Sequence, residues 1–99
     1  MDLHVAETIL EQLGGGLFRL MTGARFFVGD QTSLTFSLPD PGKDGATIVK
    51  ISLTAADDYT LETFVVRGGE RRLCSKRHEV YAEDLREVFR DVTGYAARL

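Results

Sequence analysis

The chain has 99 residues, of which 43% are hydrophobic and 27% are charged, and its formal net charge at pH 7 is −3. This length and composition are typical of one globular domain with a modest core, and they leave no room for two. No apolar run approaches the roughly 20 residues that span a bilayer, and the N-terminal acids are unlike a secretory signal. Together with the single cysteine, Cys74, these features lead us to expect a cytoplasmic protein with no membrane partner.

The charge is unevenly distributed along the chain. Between positions 67 and 77 the only acid is Glu70, and five residues are basic: Arg67, Arg71, Arg72, Lys76 and Arg77. This segment has a balance of +4, which leaves −7 for the rest of the chain. The sequence therefore predicts a short basic segment on an acidic protein.

The N-terminal segment predicts an amphipathic helix followed by a change of direction. Apolar residues recur every three or four positions from Leu3 to Leu13, with acidic residues between them. Three glycines at residues 14–16 end this pattern, because glycine readily adopts the left-handed conformation that closes helices. We expect strands at residues 17–21 and 25–28, separated by a break and followed by a turn at residues 29–32.

The middle of the chain predicts three more strands and a hairpin. Residues 33–38 and 47–54 alternate apolar and polar side chains, and residues 59–67 are rich in β-branched and aromatic residues. Two glycines then signal a tight turn, after which residues 70–77 pair back with the polar character of an edge strand. Both prolines fall in residues 39–45, which we expect to form a loop and to be the segment most prone to disorder.

The clearest helical pattern is near the end of the chain. Gly94 is a natural stop for this helix, and its apolar face comprises Tyr81, Leu85, Val88, Phe89 and Val92. The whole sequence predicts one α+β domain over residues 1–99. In that domain, an antiparallel sheet of about five or six strands is bracketed by an N-terminal and a C-terminal helix, both packed on one face.

Three separated motifs resemble a known protein family. They are residues 21–28 (MTGARFFV), residues 33–39 (SLTFSLP), and residues 80–85 (VYAEDL) followed by Thr93-Gly94. In this order the motifs resemble a family of small single-domain proteins carried by bacteriophages, prophages and plasmids, a family without an established activity. The resemblance implies a non-enzymatic accessory protein of a mobile genetic element that binds a host or element-encoded protein. Counter-defence inhibition is one concrete version of that function.

Thr22 and Arg25, in the first motif, are candidate binding residues. An arginine beside two aromatic residues, Phe26 and Phe27, can recognise a carboxylate, a phosphate or a stacked base. A small-molecule or nucleotide sensor at this motif is therefore one hypothesis. The structural alternative is that Gly23 makes a bend or bulge, one phenylalanine enters the core and Arg25 pairs with a surface acid.

The basic segment is a second candidate binding site. A basic hairpin can follow a nucleic-acid backbone, and the contacts would come from Arg67, Arg71, Arg72, Lys76 and Arg77. The alternative is that these charges protect an edge strand from edge-to-edge association. Nucleic-acid binding is thus the runner-up to protein binding, and homodimerisation through a sheet edge or face is compatible with the sequence.

The remaining residue groups favour structural roles, so we expect no catalytic site, metal or cofactor. The glycines at residues 14–16 and 22–24 lack the preceding strand and following helix of a phosphate-binding loop. Cys74 and His78 lie far apart if they share a strand, which argues against a metal pair or a catalytic dyad. Adjacent carboxylates beside a phenol, as at Asp57, Asp58 and Tyr59, also occur in acid/base and cation sites, but the Asp57-Asp58 pair is typical of a turn.

Overall fold

A computed structural model describes residues 3–95 of the chain. The helices are α1 (His4–Leu13), α2 (Gly15–Thr22) and α3 (Leu85–Thr93). The strands are β1 (Arg25–Gly29), β2 (Ser33–Ser37), β3 (Ile48–Leu53), β4 (Tyr59–Arg67) and β5 (Glu70–Val80). Single 3₁₀ turns at Lys43–Gly45 and Ala82–Asp84 precede β3 and α3.

The strands form one antiparallel sheet in the order β1-β2-β3-β4-β5. Each strand pairs with its neighbours in the sequence, because short connections between consecutive strands favour antiparallel hairpins. The α+β class and the antiparallel sheet are therefore confirmed. As expected, β5 lies at one edge, and β1 lies at the other.

All three helices pack on the same face of the sheet. That face receives every second side chain of the strands, and one row across it is paired in register and buried: Leu34, Ile51 and Leu61. Three aromatic rings from α2, β2 and α3 meet at the centre of the core. The ring centroid of Phe18 lies 5.5 Å from that of Phe36 and 5.1 Å from that of Phe89, both in edge-to-face geometry. These contacts fix the helices on the sheet.

Helix α2 replaces the strand predicted at residues 17–21, and that prediction is wrong. The segment contains leucine, arginine and methionine, which are strong helix formers, and the buried residues Phe18 and Thr22 are spaced by one helical turn. Gly14 and Gly15, with φ of 126° and 58°, let α2 begin directly after α1. The glycines therefore connect two helices, and the sheet has five strands.

A β-bulge interrupts strand β1. Its pairing with β2 slips between Arg25 and Val28, where β1 has one residue more than its partner. Phe26 has a φ of 58° and its side chain is 71% exposed. Phe27, in contrast, packs against the core, with its ring centroid 5.3 Å from that of Phe36. One phenylalanine enters the core, and the bulge directs the other outwards.

Helix α3 begins four residues later than the apolar pattern predicts. Tyr81 is extended and exposed, so its predicted place on the apolar face of the helix is wrong. The extended residue and the following 3₁₀ turn carry the chain from the edge strand onto the covered face. From there the prediction is confirmed: Gly94 closes the helix with φ of 79°, the predicted apolar residues Leu85, Phe89 and Val92 are buried, and Val88 packs against the core while partly exposed.

The loop at residues 39–45 lies against the end of α3. The Nζ of Lys43 donates a hydrogen bond to the carbonyl of Asp91 at 2.7 Å, and the Asp40 N–H donates to the Tyr95 hydroxyl at 3.0 Å. This loop and the helices therefore lie on one side of the sheet. Within residues 3–95, the opposite side, which we call the open face, has no such layer over it.

Candidate binding surfaces

The β4–β5 hairpin extends beyond the rest of the sheet. Phe64 is the last residue of β4 that pairs with β3. Beyond it, β4 and β5 pair only with each other, through Val65–Arg72, Val66–Arg71 and Arg67–Glu70. Gly68 and Gly69, with φ of 59° and 81°, make the tight turn, which requires positive φ at both positions. We call residues 65–72 the ribbon.

The ribbon presents arginines from both of its faces. Paired residues share a face, so Arg71 lies beside Val66 on the open face, and Arg67 and Arg72 lie on the other. All three arginines are exposed. The guanidinium of Arg71 lies 5.3 Å from the centroid of the Phe64 ring. Among the residues that the structure describes, neither Arg67 nor Arg72 forms a salt bridge.

Lys76 and Arg77, the other two basic residues, lie closer to the base of the hairpin. Lys76 is on the open face, where its Nζ is 3.9 Å from the Oε2 of Glu62. Arg77 pairs with Leu61 and is exposed at the edge, on the side of the helices. The structure thus brings the five predicted basic residues to one edge of the sheet but divides them between its two sides.

An apolar row crosses the open face. Ile48, Phe64 and Leu73 are paired across β3, β4 and β5, and Val66 follows on β4. Leu73 is 53% exposed and Val66 is 46% exposed, while Ile48 and Phe64 are half-buried. Scattered exposed apolar residues are ordinary, but four neighbours on one face form a contiguous patch.

Charged residues surround this apolar row. Lys50 and Lys76 flank Glu62 in the next row of the sheet, and Arg71 stands beside Val66. These four side chains, three cations and one anion, have a net charge of +2. The sequence interpretation missed this surface. Its signal was present in β4, where Phe64 and Val66 are apolar on the alternation opposite to that of Tyr59 and Leu61.

Thr22 and Arg25 lie at the β1 edge of the sheet, opposite the hairpin. Thr22 is only 3% exposed. Its hydroxyl donates to the carbonyl of Phe18 at 2.8 Å and accepts from the N–H of Ala24 at 3.1 Å. Both hydrogen bonds of the hydroxyl are therefore used to close the end of α2. Arg25 is exposed, and its guanidinium lies 5.2 Å from the centroid of the Phe26 ring. The two residues do not form one site.

The other candidate groups are also separated. Asp58 accepts a hydrogen bond from the Thr54 hydroxyl at 2.6 Å within the β3–β4 turn, whereas the Tyr59 hydroxyl donates to Gln12 on α1 at 2.6 Å. Cys74 lies on the edge strand with its sulfur 3.8 Å from a backbone carbonyl oxygen. In residues 3–95, no three His, Cys, Asp or Glu side chains are placed to hold a metal ion. No helix in this range is long and apolar enough to cross a membrane.

Within residues 3–95, the fold shifts the pKa values of two side chains, Asp30 and Tyr59. In the β1–β2 turn, hydrogen bonds from the Thr32 N–H and from the hydroxyl and N–H of Ser33 lower the pKa of Asp30. Burial raises the pKa of Tyr59, and its hydrogen bond to Gln12 partly opposes that shift. Neither group lies on the ribbon or the open face.

Comparison of the chain with protein-family models, with curated proteins and with solved structures finds no match.

Proposed function

We propose that this protein is a non-enzymatic accessory protein of a mobile genetic element that acts in the bacterial cytoplasm by binding a host or element-encoded protein. Inhibition of host defence is one concrete form of this function. The resemblance of three sequence motifs supports the mobile-element origin. One structural observation supports protein binding above all: an apolar row, surrounded by cations, crosses the face of the sheet that the helices leave open.

The composition of the open face matches that of a protein interface. Such interfaces have an apolar and aromatic centre within a polar rim, and arginine is the charged residue that they favour. Here Phe64 and Leu73 supply the centre, and Arg71 stands at its border. Burial of apolar surface contributes about 25 cal/mol per Å². Covering this row with a partner would therefore be favourable.

The size of the open face indicates a reversible interaction. With a strand spacing of about 4.8 Å and a rise of about 3.3 Å per residue, five strands of about six residues form a face of roughly 24 by 20 Å. That is roughly 480 Å², compared with about 800 Å² per partner in an interface of standard size. We therefore expect a transient complex, or one that also contacts the exposed edge of β5.

The charge of the open face favours an acidic partner over a second copy of the chain. A face-to-face dimer would bring the cations of two open faces together, and like charges in contact are costly. A partner with carboxylates around an apolar centre would pair with Lys50, Arg71 and Lys76. Homodimerisation through this face is thus the weaker proposal.

Capture of partners from a lysate of a bacterial host tests this function. The bait is the full chain, compared with Val66→Ser/Leu73→Ser, which removes two exposed side chains of the apolar row. The matched control is Leu17→Ser/Leu20→Ser, which removes two leucines that are 47% and 80% exposed on α2. All three proteins have the same net charge.

The proposed function predicts a stoichiometric partner that the wild type and the α2 variant retain and the open-face variant loses. A partner retained equally by all three proteins would show that the open face is not the interface. Absence of any stoichiometric partner would remove the support for protein binding itself.

A further inference from the structure

We propose that the ribbon is a second binding site, which shares Val66 and Arg71 with the open face, and that it enters the major groove of duplex DNA. This inference goes beyond protein binding. Its starting point is the position of the basic residues. Three of them, Arg67, Arg71 and Arg72, stand on a two-stranded ribbon that projects past β3, with side chains directed from both of its faces.

The guanidinium groups of the ribbon are available to an anionic ligand. In the described residues, Arg67 and Arg72 have no carboxylate in salt-bridge contact. Arg71 stacks on the Phe64 ring, a contact that orients the guanidinium and leaves its N–H groups free to donate to oxygens. The planar guanidinium group of arginine binds phosphate well, because two of its parallel N–H groups can donate to two phosphate oxygens.

The dimensions of the ribbon fit the major groove. Three residue pairs extend past the last β3 pair, and at about 3.3 Å per residue this projection is roughly 10 Å long. The major groove of B-DNA is about 12 Å wide and about 8.5 Å deep, and it admits a two-stranded ribbon. A ribbon in this groove has one phosphate wall on each side. Arg71 faces one wall, and Arg67 and Arg72 face the other.

The ribbon itself has one acid, Glu70, which pairs with Arg67, so its three arginines leave it a net charge of +2. The acids of the β3–β4 turn, Asp57 and Asp58, precede Tyr59 at the base of β4. Eight residue steps separate Tyr59 from Arg67, which is about 26 Å along a strand. The screening length is about 10 Å at an ionic strength of about 0.1 M, so the tip is largely shielded from those carboxylates. The net charge of −3 therefore does not describe the field at the tip.

Two other forms of nucleic acid fit less well. The major groove of A-form RNA is deep and too narrow for side chains to read. Single strands are held by aromatic platforms on which bases stack, and Phe64, the aromatic residue adjoining the ribbon, is already covered by Arg71. Duplex DNA is thus the form that the ribbon fits.

Equilibrium binding of the full chain to three labelled ligands of matched length tests this proposal: duplex DNA, duplex RNA and single-stranded DNA. For three phosphate contacts we expect a log–log salt slope of about −2.7 on duplex DNA, which is about a 40-fold loss of affinity between about 50 and about 200 mM salt. Binding to duplex RNA and to single-stranded DNA should be at least about tenfold weaker. DNA whose major groove is filled by glucosylated hydroxymethylcytosine should also bind about tenfold more weakly.

The variant Arg67→Gln/Arg72→Gln tests the ribbon directly, because it leaves the open face intact. Its salt slope should fall by about 2. The matched control, Arg86→Gln/Arg90→Gln, removes the same charge from exposed positions on α3 and should keep the slope of the wild type.

Four results would overturn the proposal. They are no binding to duplex DNA at low salt, equal binding to duplex RNA or single strands, equal loss of binding in both double variants, and competition by polyglutamate as effective as by DNA. The last result would assign the ribbon to an acidic protein. Capture of the open-face partner by Arg67→Gln/Arg72→Gln is a separate readout, so failure of the ribbon proposal does not imply failure of protein binding.

Discussion

The two faces of the sheet are built from the same strands but differ in burial. On the covered face, Phe36 and Leu61 are fully buried beneath the helices. On the open face, the same strands carry Thr35, Glu62 and Phe64, which are half-buried. Because successive side chains of a strand point to opposite faces, one face can be fixed by packing while the other varies.

This difference indicates where stability and recognition reside. The covered face contains the close-packed core, where loss of a side chain leaves a cavity. Substitutions on the open face remove little buried surface, since its side chains contact solvent. We therefore expect stability to depend on one face and binding on the other, and four variants with their controls measure how complete that separation is.

The largest effect is expected for Phe89→Ala on α3. Phe89 is fully buried and its ring contacts Phe18, so truncation should lower the free energy of unfolding by about 4 kcal/mol. Denaturant unfolding followed by circular dichroism measures this loss. Leu73→Ala on the open face is the control and should change the free energy by less than about 1 kcal/mol. Similar losses in both variants would mean that the open face is covered in solution.

Thr22→Val should destabilise the protein by about 1–2 kcal/mol. The substitution keeps the shape of the side chain but removes the hydroxyl that bonds the Phe18 carbonyl and the Ala24 N–H. Thr35→Val, the same substitution on the open face, should change the free energy of unfolding by less than about 0.5 kcal/mol. If Thr22→Val retains full stability but loses a binding activity, the motif acts in recognition after all.

Asp30→Asn should destabilise the protein by about 1 kcal/mol at neutral pH, because an amide replaces a carboxylate that accepts three hydrogen bonds near 2.9 Å or shorter. The folded state lowers the pKa of Asp30 below its ordinary value of 3.8. Its contribution is therefore complete above that value and is lost as pH falls through the lower, folded pKa. The difference in free energy of unfolding between Asp30→Asn and the wild type should therefore be smaller at about pH 2.5 than at neutral pH.

A matched substitution separates this effect from a general change in charge. Asp57→Asn in the β3–β4 turn removes one carboxylate at a position with φ of 63°, which asparagine also tolerates. It should produce a smaller loss at neutral pH. If the Asp30→Asn deficit is the same at both pH values, the turn is held by something other than the ionised carboxylate.

The smallest effect is expected for Val66→Ser/Leu73→Ser, the variant that should abolish partner binding. Both side chains are about half exposed, so the free energy of unfolding should change by less than about 1 kcal/mol in total. Thermal and denaturant unfolding measure this change. A large loss of unfolding free energy would show that the apolar row contributes to stability, so that stability would not depend on the covered face alone.

The sequence was sufficient for the sheet because alternation is a local signal. The apolar positions of β2 follow a strict period of two, as do Val49, Ile51 and Leu53 of β3, and β4 has the predicted bounds. The strand predicted at residues 17–21 is wrong because five residues are too few to distinguish a period of two from one of 3.6. Phe18 settles that choice by its contacts with β2 and α3, and such contacts are not readable from a local window.

The candidate surfaces were only partly predictable. The basic residues from Arg67 to Arg77 are visible as a charge run, but the projection of the ribbon depends on where β3 ends opposite Phe64. The division of the charges between two faces also depends on bulges in β5, where pairing slips between Thr63 and Phe64. The sequence therefore shows which residues are charged, but the strand pairing determines the face of the sheet on which each of them lies.

The meander also has a consequence for how quickly the protein folds. Every strand pairs with a neighbour in sequence, so the hairpins close short loops at a small cost in chain entropy. Contact between the Phe18 and Phe89 rings, in contrast, joins residues far apart in the chain. We expect the hairpins to form before the rate-limiting barrier and α3 to dock after it. A conservative substitution of Phe89 should then mainly accelerate unfolding, and one of Val49 should mainly slow folding, as stopped-flow kinetics would measure.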